Sequence, residues 1–378
     1  MTYDVAVIGG GLAGLATSIQ VAKEGKSVIL FERNTYPFHR VCGEYVSMES
    51  WKFLNRLGLE LGQEDLPFIT KLHISSPSGR IIKHKLNPGG FGVSRYKLDN
   101  MLAYKAEKCG VDLHAGIMVA EVKCLDNIWK LVDSSGGTYS AKTAIGSFGK
   151  RSNIDLKLHR GHIIKNKSQN LDSNFIAVKY HVDSELPSDL IELHNFDNGY
   201  CGISKVENNL SCLCYLTTAK NLQRCNNNIQ ELEKTILSQN PILKDYLNRF
   251  NKLYDKPLSI AQIDFSDKEI VEQGMLMVGD AAGLITPLCG NGMSMALKGS
   301  YILAPMLLDH LEGNLSFDQL HNQYQLRWKS EFKNRLKAGR IFQSLFGNTV
   351  ITEAVITLLK MSPTMMKKLV RLTHGESF

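Results

Sequence analysis

The residues with the clearest chemical potential are glycines near the start of the chain, directly after an apolar run at residues 3–8. In such a pattern Gly9 permits a tight turn, Gly11 lets the backbone approach a pyrophosphate, and Gly14 lets a helix pack closely on a strand. Leu12 and Ala13 lie at the start of the predicted helix, where free N–H groups and the helix dipole favour anions. The spacing therefore predicts a dinucleotide-binding turn.

An acidic residue stands where a dinucleotide site needs one. Glu32 ends a second apolar run at residues 27–32, about twenty residues after the glycines, and a carboxylate there can accept both ribose hydroxyls. We include the neighbouring Arg33 in the predicted cofactor-binding set. Strand, glycine turn, helix and strand follow one another within about thirty residues, which predicts a right-handed parallel βαβ unit.

A second glycine-rich segment covers residues 279–292, after another apolar run and before a predicted helix. Asp280 at the strand end is placed to hold a ribityl hydroxyl, and the small residues after it leave room for a flat ring. A helix that begins among Pro287, Gly290, Asn291 and Gly292 can stabilise negative charge on a reduced flavin. The alternative is an ordinary strand–turn–helix corner.

Two further places carry candidate reactive or charged side chains. In the loop at residues 40–44, Cys42 is either a reactive thiol or a small buried residue at a turn, with Gly43 beside it. Glu44 is either an acid or base in a cavity or a structural polar residue. Arg95 opens a predicted helix, from which it either reaches a cofactor or lies at the surface.

Composition narrows the possible functions. The chain has 378 residues, 43% of them hydrophobic and 21% charged, which is typical of a globular protein with more than one domain. No apolar run approaches the roughly 20 residues of a membrane span, and the N-terminus does not read as a signal peptide. The net charge of +7 forms no basic patch with interleaved aromatics, so no nucleic-acid partner is predicted. The eight cysteines show no zinc spacing, so we predict no metal site and a cytoplasmic protein with reduced thiols.

Together these motifs resemble the flavoproteins of the para-hydroxybenzoate hydroxylase fold, especially their geranylgeranyl-reductase-like and halogenase-like branch. The resemblance rests on the opening glycines, the loop from Arg40 to Glu44, Arg95 with Asp99, and the segment at 279–292. It implies noncovalently bound FAD and NADPH or NADH as electron donor. The cofactor-binding residues implied are Gly9, Gly11, Leu12, Ala13, Gly14, Glu32, Arg33, Arg40, Arg95, Asp280, Pro287, Gly290, Asn291 and Gly292, with Cys42, Gly43 and Glu44 beside the flavin as candidate catalytic residues.

The chain also departs from this family. Phe148 occupies the aspartate position of the family's middle motif, and the region of Tyr200 lacks the aromatic-rich strand motif of prenyl reductases. The three tryptophans stand alone, whereas flavin halogenases carry a pair. These departures favour an NAD(P)H-dependent monooxygenase that hydroxylates an aromatic or lipophilic substrate. The alternatives are an FAD-dependent reductase of a carbon–carbon double bond and a non-catalytic flavin-binding protein.

The elements that must position these residues predict an α/β fold. We expect an FAD-binding Rossmann-like (βαβ) domain with an inserted antiparallel β-sheet substrate domain and C-terminal helices. The predicted boundaries are 1–70, 95–152 and 270–312 for the discontinuous FAD domain, 71–94 and 153–269 for the substrate domain, and 313–378 for the helical region. Strands are predicted at 175–182, 190–194, 200–204 and 210–217, with a helix near 228–238 and a hairpin around 77–80.

The predicted substrate domain and C-terminal helices indicate what the protein contacts. The strands between 155 and 265 carry apolar and small residues without a cluster of basic side chains, which favours a small lipophilic or aromatic substrate. Residues 355–372 mix apolar residues with Lys360, Lys367, Lys368 and Arg371. Such a segment either makes peripheral membrane contact or packs as an amphipathic helix on the protein itself. The sequence does not indicate an oligomeric state.

Overall fold

The computed structural model describes residues 1–161, 174–346, 349–373 and 375–378. In chain order the strands are β1 (Thr2–Ile8), β2 (Val28–Glu32), β3 (Tyr45–Ser47), β4 (Phe68–Ser75), β5 (Ile81–Gly92), β6 (Asp112–Ala115), β7 (Val119–Leu125), β8 (Ile128–Asp133), β9 (Thr138–Gly146), β10 (Phe175–Asp183), β11 (Leu190–Phe196), β12 (Gly199–Lys205), β13 (Ser211–Thr218), β14 (Asn251–Lys252), β15 (Leu258–Ile263), β16 (Val271–Glu272) and β17 (Met275–Met277). The helices are α1 (Leu12–Lys23), α2 (Trp51–Leu57), α3 (Arg95–Lys108), α4 (Asn153–Lys157), α5 (Ala219–Arg224), α6 (Ile229–Thr235), α7 (Pro241–Arg249), α8 (Gly292–Leu311), α9 (Phe317–Phe346), α10 (Thr349–Met361) and α11 (Pro363–Thr373).

The first sheet has the strand order β16-β17-β9-β1-β2-β6, and β7 and β8 extend from β9 as an antiparallel meander. Strands β17, β9, β1, β2 and β6 run parallel, so their carboxyl ends meet at one edge of the sheet. The apolar run of β1 is buried because α1 covers it, and α1 in turn packs against α3 and α8. The predicted βαβ unit is confirmed, and the edge where the ligand-binding turns lie follows from it.

The second sheet has the order β14-β10-β13-β12-β11-β4-β5-β3, with β15 also paired to β10. The predicted hairpin of β4 and β5 is present, and the strands predicted between 175 and 217 form β10 to β13. The sheet is not wholly antiparallel, since β4 and β11 pair in parallel. Residues Tyr45–Ser47, which the sequence analysis placed in the first domain, pair with the end of β5 in this second sheet. The division into domains itself stays a prediction.

The C-terminal helices pack against the second sheet. Helix α10 packs on β5, and α9 contacts both α10 and α11. Ile356, Leu359 and Met366 are buried in one apolar cluster with residues of β4 and β5 such as Leu72 and Ile82. Among the described residues no single helix is long and apolar enough to cross a membrane. Phe317–Ser344 and Thr349–Met361 meet that criterion only as a pair, and the pair is bent by 115°.

The contact between α1 and β1 depends on a glycine. A Cβ atom at Gly14 would lie 2.1 Å from the Gly9 carbonyl oxygen and 2.5 Å from Ser147 Oγ, both of which are fixed by the first sheet. We expect Gly14→Ala to lower the free energy of unfolding by about 1–3 kcal/mol, because the helix must move away from the strand. Urea denaturation of the apoprotein measures this. At Gly11 the nearest atom to a Cβ would be 3.8 Å away, so equal destabilisation by Gly11→Ala would contradict the argument.

Candidate active site at the junction of the two sheets

A cavity of about 910 Å³ lies between the carboxyl edge of the first sheet and the second sheet. The predicted site residues that line it are Gly9, Gly11, Leu12, Ala13, Glu32, Arg33, Arg40, Cys42, Gly43, Glu44, Arg95, Asp280, Pro287, Gly290, Asn291 and Gly292. Gly14 is the exception, because it faces the first sheet and acts in packing. Folding therefore brings together residues that are up to 283 positions apart in the chain.

The glycine turn leaves an anion-binding helix terminus open to the cavity. Helix α1 begins after Gly11 with no side-chain cap and no acidic residue in its first turn. Its first N–H groups, which include those of Leu12 and Ala13, therefore have no intrahelical partner. Arg95 lies next to this terminus, since a Cβ at Gly11 would be 3.8 Å from one of its guanidinium nitrogens. A diphosphate fits this place by charge and by hydrogen-bonding capacity.

Glu32 and the two arginines belong to one buried network. Arg95 donates to both oxygens of Asp99 at 2.7 Å, and Arg40 joins Asp99 to Glu32 through bonds of 3.0 and 2.9 Å. The Asp99 charge raises the pKa of Arg95 against the effect of burial, so the guanidinium stays protonated. Glu32 also accepts a bond from the Gly10 amide at 3.0 Å. The network holds the Glu32 carboxylate at the end of β2, where a ribose is expected.

The second glycine segment forms a further helix terminus that lines the cavity. Residues Gly279–Ala281 and Pro287–Cys289 make single helical turns, Gly290 adopts a left-handed φ of 64°, and α8 then starts without a side-chain cap. No acidic residue occupies its first turn. The terminus can therefore stabilise negative charge on a ring held against it.

Two buried cations that the sequence analysis missed support this segment. Lys268 Nζ donates to the carbonyls of Asp280 and Lys150, each at 2.9 Å, and Arg160 donates to the Ala281 carbonyl at 3.0 Å. Burial lowers the pKa of Lys268 to about 8. Neither residue lies in a recognisable motif, so no sequence signal identifies them.

FAD fits this cavity, since two uncapped helix termini, a ribose-side carboxylate and an arginine face it.

Comparison of the chain with known proteins agrees with FAD binding. The FAD binding domain family matches residues 4–38, and the squalene epoxidase family matches residues 203–346. Conditioned medium factor receptor 1 of Dictyostelium discoideum is 26% identical over 95% of this chain and 74% of its own length. Digeranylgeranylglycerophospholipid reductase of Methanococcus vannielii is 23% identical over 97% of both chains.

Solved structures share the fold across almost the whole chain. The flavin-dependent brominase Bmp2 superposes with a TM-score of 0.80 at 18% identity, over 99% of this chain and 93% of the brominase. PqsL of Pseudomonas aeruginosa, described as a probable FAD-dependent monooxygenase, has a TM-score of 0.72 at 13% identity, over 94% of this chain and 100% of PqsL. The chain belongs to the FAD-dependent oxidoreductases. The predicted fold class is thereby confirmed, whereas the individual site residues stay predictions.

In this oxidoreductase the loop at residues 40–44, which lines the cavity, is anchored by Glu44. The side chain is fully buried, its carboxylate pairs with Lys179, and it lies 2.6 Å from His181 Nε2, both on β10. It also accepts the Arg95 amide at 2.8 Å. Burial alone would raise the pKa of Glu44, but the His181 hydrogen bond and the Lys179 charge outweigh it and hold that pKa below its ordinary value.

Strands β10 and β13 also bind the loop backbone. Lys179 Nζ donates to the Arg40 carbonyl at 3.2 Å, and Cys212 Sγ on β13 donates to the Cys42 carbonyl at 3.2 Å. Glu44 itself has a left-handed φ of 56°, which is unfavourable for a residue with a Cβ. These contacts indicate that Glu44 positions the loop at residues 40–44. They give no support to the hypothesis that Glu44 exchanges protons with a substrate.

Glu44, His181 and Cys212 also offer metal-type ligand atoms within 4.8 Å of one another. The Lys179 ammonium already pairs with the Glu44 carboxylate, so a cation is present in this group. Burial raises the pKa of the Cys212 thiol well above its ordinary value, whereas a metal-binding cysteine must be deprotonated. Glu44 and His181 therefore form an ion-pair network with Lys179.

Four further side chains line the cavity near the loop at residues 40–44. Cys42 and Cys214 both line it, and burial raises the pKa of the Cys214 thiol to about 12, so this thiol stays protonated. Phe148, which replaces the family's aspartate, lies at the carboxyl end of β9, and its ring packs against Gly146. Lys150 follows two residues later and also lines the cavity. Neither Cys214 nor Lys150 was predicted from the sequence.

The Glu44 network predicts an acid-sensitive stability. Because the folded pKa of Glu44 lies below its ordinary value of about 4.5, its contribution is complete above that pH and is lost as the pH falls toward the folded pKa. Glu44→Gln should lower the unfolding free energy by about 3–5 kcal/mol at neutral pH, since Lys179 stays buried and unpaired. The variant's stability should also fall less steeply on acidification.

Chemical denaturation at several pH values between about 3 and 7 measures both effects, across the ordinary pKa range of a glutamate. The matched control is the double variant Glu44→Gln/Lys179→Met, in which no unpaired ammonium remains and part of the stability should return. Equal pH slopes for the wild type and Glu44→Gln would contradict the assignment.

Cofactor retention should depend on Gly11. In Gly11→Val the new side chain points toward the open space beside the α1 terminus, where the nearest described atom to its Cβ is 3.8 Å away. We expect FAD affinity to fall at least tenfold while the unfolding free energy of the apoprotein stays within about 1 kcal/mol, since no packed contact is lost. Flavin fluorescence titration measures affinity. Gly62→Ala, which has no neighbour within 4 Å, is the control and should bind FAD normally.

Proposed function

We propose that this oxidoreductase is a monooxygenase that uses FAD, NAD(P)H and O₂ to hydroxylate a lipophilic phenol, meaning an aromatic ring with a hydroxyl group and an apolar chain. The observation that carries this proposal is the pairing of a long apolar wall with Lys150, a half-buried cation without a side-chain partner among the described residues. The apolar wall fits the chain of the substrate, and the cation fits its phenolic oxygen.

The apolar wall belongs to the second sheet and the C-terminal helices. Lining residues that these elements contribute among the described residues include Leu72, Ile74, Leu86, Ile191, Leu193, Leu359, Met366 and Leu369. Every charged side chain that lines the described cavity comes instead from the first sheet, the loop at residues 33–44, α3, or the segments that follow β9 and β17. A hydrocarbon chain placed along this wall loses water without leaving a buried charge unpaired.

Lys150 supplies the cation. Its Nζ has no hydrogen-bond or ion-pair partner among the described residues, although its backbone carbonyl is held by Lys268. Burial lowers the pKa of Lys150, partly offset by the charge of Asp280, and Cys42 and Cys214 also lie within its electrostatic reach. A phenol has an ordinary pKa of about 10, so the neutral amine of a lysine with a lowered pKa can take its proton and then pair, as the ammonium cation, with the phenolate. The resulting phenolate oxygen makes its ring more reactive toward an electrophilic oxygen.

The overall reaction balances as substrate plus O₂, NAD(P)H and a proton giving the hydroxylated substrate, NAD(P)⁺ and water. Bound FAD would supply the hydride acceptance and the reaction with O₂. This chain's residues hold the cofactor through the α1 terminus, Arg95 and Glu32, and position the flavin-facing loop through Glu44. Lys150 orients the phenol and holds its proton, and the second sheet excludes water from the apolar chain.

The second candidate is a reductase that adds two hydrogens from NAD(P)H and a proton across a carbon–carbon double bond. Its support is the likeness to digeranylgeranylglycerophospholipid reductase, which extends over 97% of both chains, together with the protonated thiol of Cys214 as a proton source. This reaction needs neither O₂ nor an unpartnered cation, and those two requirements separate the candidates.

The test uses FAD-loaded protein and follows NAD(P)H oxidation with 4-dodecylphenol, dodecylbenzene and geranylgeraniol, with and without O₂. The monooxygenase should consume NAD(P)H faster with the alkylphenol, only aerobically, and incorporate one ¹⁸O atom from labelled O₂. Anaerobic saturation of geranylgeraniol without any oxygenated product would overturn the proposal in favour of the reductase.

Lys150→Met should lower kcat/KM for the alkylphenol by about 10²-fold or more, the typical contribution of a proton-transferring group, with FAD content unchanged. Lys130→Met on the exposed side of β8 is the matched control and should keep full activity. If Lys150→Met hydroxylates the alkylphenol at the rate of the wild type, the assignment of Lys150 is wrong even where the reaction is right.

A further inference from the structure

We infer that α10 and α11 form a docking surface for an anionic phospholipid bilayer, through which a lipophilic substrate reaches the cavity. The C-terminal docking surface consists of the exposed apolar residues Val350, Ile351, Leu358, Met361, Met365 and Leu372 and the exposed basic residues Lys360, Lys367, Lys368 and Arg371. The docking is independent of the reaction, whereas the substrate route rests on the proposed function.

Helix α10 carries an apolar stripe on its outer side. Val350 is 77% exposed, Leu358 56% and Met361 79%, and Ile351 and Ala354 are exposed between them. These positions recur every three to four residues, so they share one face of the helix. A continuous exposed stripe of this kind marks a surface that another apolar phase covers.

Helix α11 adds positive charge to this surface. Met365 and Leu372 are about half exposed, and the basic residues Lys367, Lys368 and Arg371 are exposed around them. Residues 349–373 contain four basic residues and one acidic residue. That acidic residue, Glu353, accepts the Ser78 amide at 2.8 Å, which directs its charge toward the loop between β4 and β5. Apolar and basic residues together match the interface of an anionic bilayer.

The inner sides of the same helices line the cavity. Leu359, Met366 and Leu369 are part of the apolar wall described above, and Ile356 is buried in the cluster with β4 and β5. Packing on the protein body accounts for these inner residues and leaves the outer stripe unexplained. The two helices are therefore apolar on both sides and separate the cavity from the exterior by one helix layer.

A second copy of the chain is a less suitable occupant. Two docking surfaces brought face to face would place the four basic residues of one copy near those of the other, which costs free energy by like-charge repulsion. An anionic headgroup layer neutralises the same charges while the acyl region accepts the apolar stripe. The charge of the surface thus favours lipid over self-association.

The test measures binding of the FAD-loaded protein to phosphatidylcholine vesicles with and without about one-third phosphatidylglycerol, by sedimentation at low ionic strength. We expect binding to the anionic vesicles and at least tenfold weaker binding to the neutral ones. Lys367→Gln/Lys368→Gln should weaken binding about 25-fold, since each basic residue near the membrane contributes about fivefold. Leu358→Ser/Met361→Ser should weaken it at least tenfold, through lost apolar burial.

The matched control is Lys123→Gln/Leu125→Ser on β7, where the side chain of Lys123 is 69% exposed and Leu125 is 57% exposed. This control should bind like the wild type. Equal binding by all variants, or no binding to anionic vesicles, would overturn the proposal. So would a dimer in analytical ultracentrifugation that Leu358→Ser/Met361→Ser dissociates. Vesicle binding requires no turnover, so a failed hydroxylation assay leaves this result interpretable.

Discussion

The buried carboxylate of Glu44 joins the two halves of this protein at the place where its chemistry is expected. Its partners Lys179 and His181 come from the second sheet, and its backbone belongs to the loop at residues 40–44, which lines the cavity. A carboxylate without these partners would be very costly at such a buried position. The position of the loop relative to strand β10 is therefore fixed by ion pairs. The same ion pairs fix the shape of the cavity that the loop lines.

Charge is distributed unevenly around the cavity, and this asymmetry organises the proposed function. The first sheet and its turns present helix termini, Arg95 and Glu32, all of which suit a charged dinucleotide. The second sheet and the C-terminal helices present uncharged side chains. Lys150 lies on the charged side of this border, and its lack of a partner among the described residues distinguishes it from Arg40 and Arg95, which both pair with Asp99.

The sequence predicted the parts of the fold that local patterns encode. The βαβ unit, the hairpin of β4 and β5 and the strands β10 to β13 were identified because their apolar periodicity and turn residues are local signals. The short strand Tyr45–Ser47 was missed, since only its pairing with β5 makes it a strand. Helix α7 was also missed, although Asn240 caps it and Pro241 begins it, a signal that was available.

In the candidate site, too, some residues follow from local sequence patterns and others are brought together only by folding. The glycine turns and Glu32 follow a spacing rule, so they could be placed from sequence. Lys268 contacts Lys150, Arg160 contacts Ala281 and Glu44 contacts His181, in each case across more than 100 positions, and no spacing encodes these contacts. Cys214 and Lys150 were missed for a similar reason. They lie in different segments of the chain, and only the packing of the two sheets brings both to the same cavity.

The single layer of α10 and α11 over the apolar wall has a consequence for kinetics. A substrate that passes from a bilayer through this layer never equilibrates with bulk water, so its relevant concentration is its mole fraction among the lipids. Diluting the substrate with inert phospholipid would then slow the reaction, whereas adding more buffer would not. The product would leave by the same route, and the membrane would serve as both the reservoir and the sink.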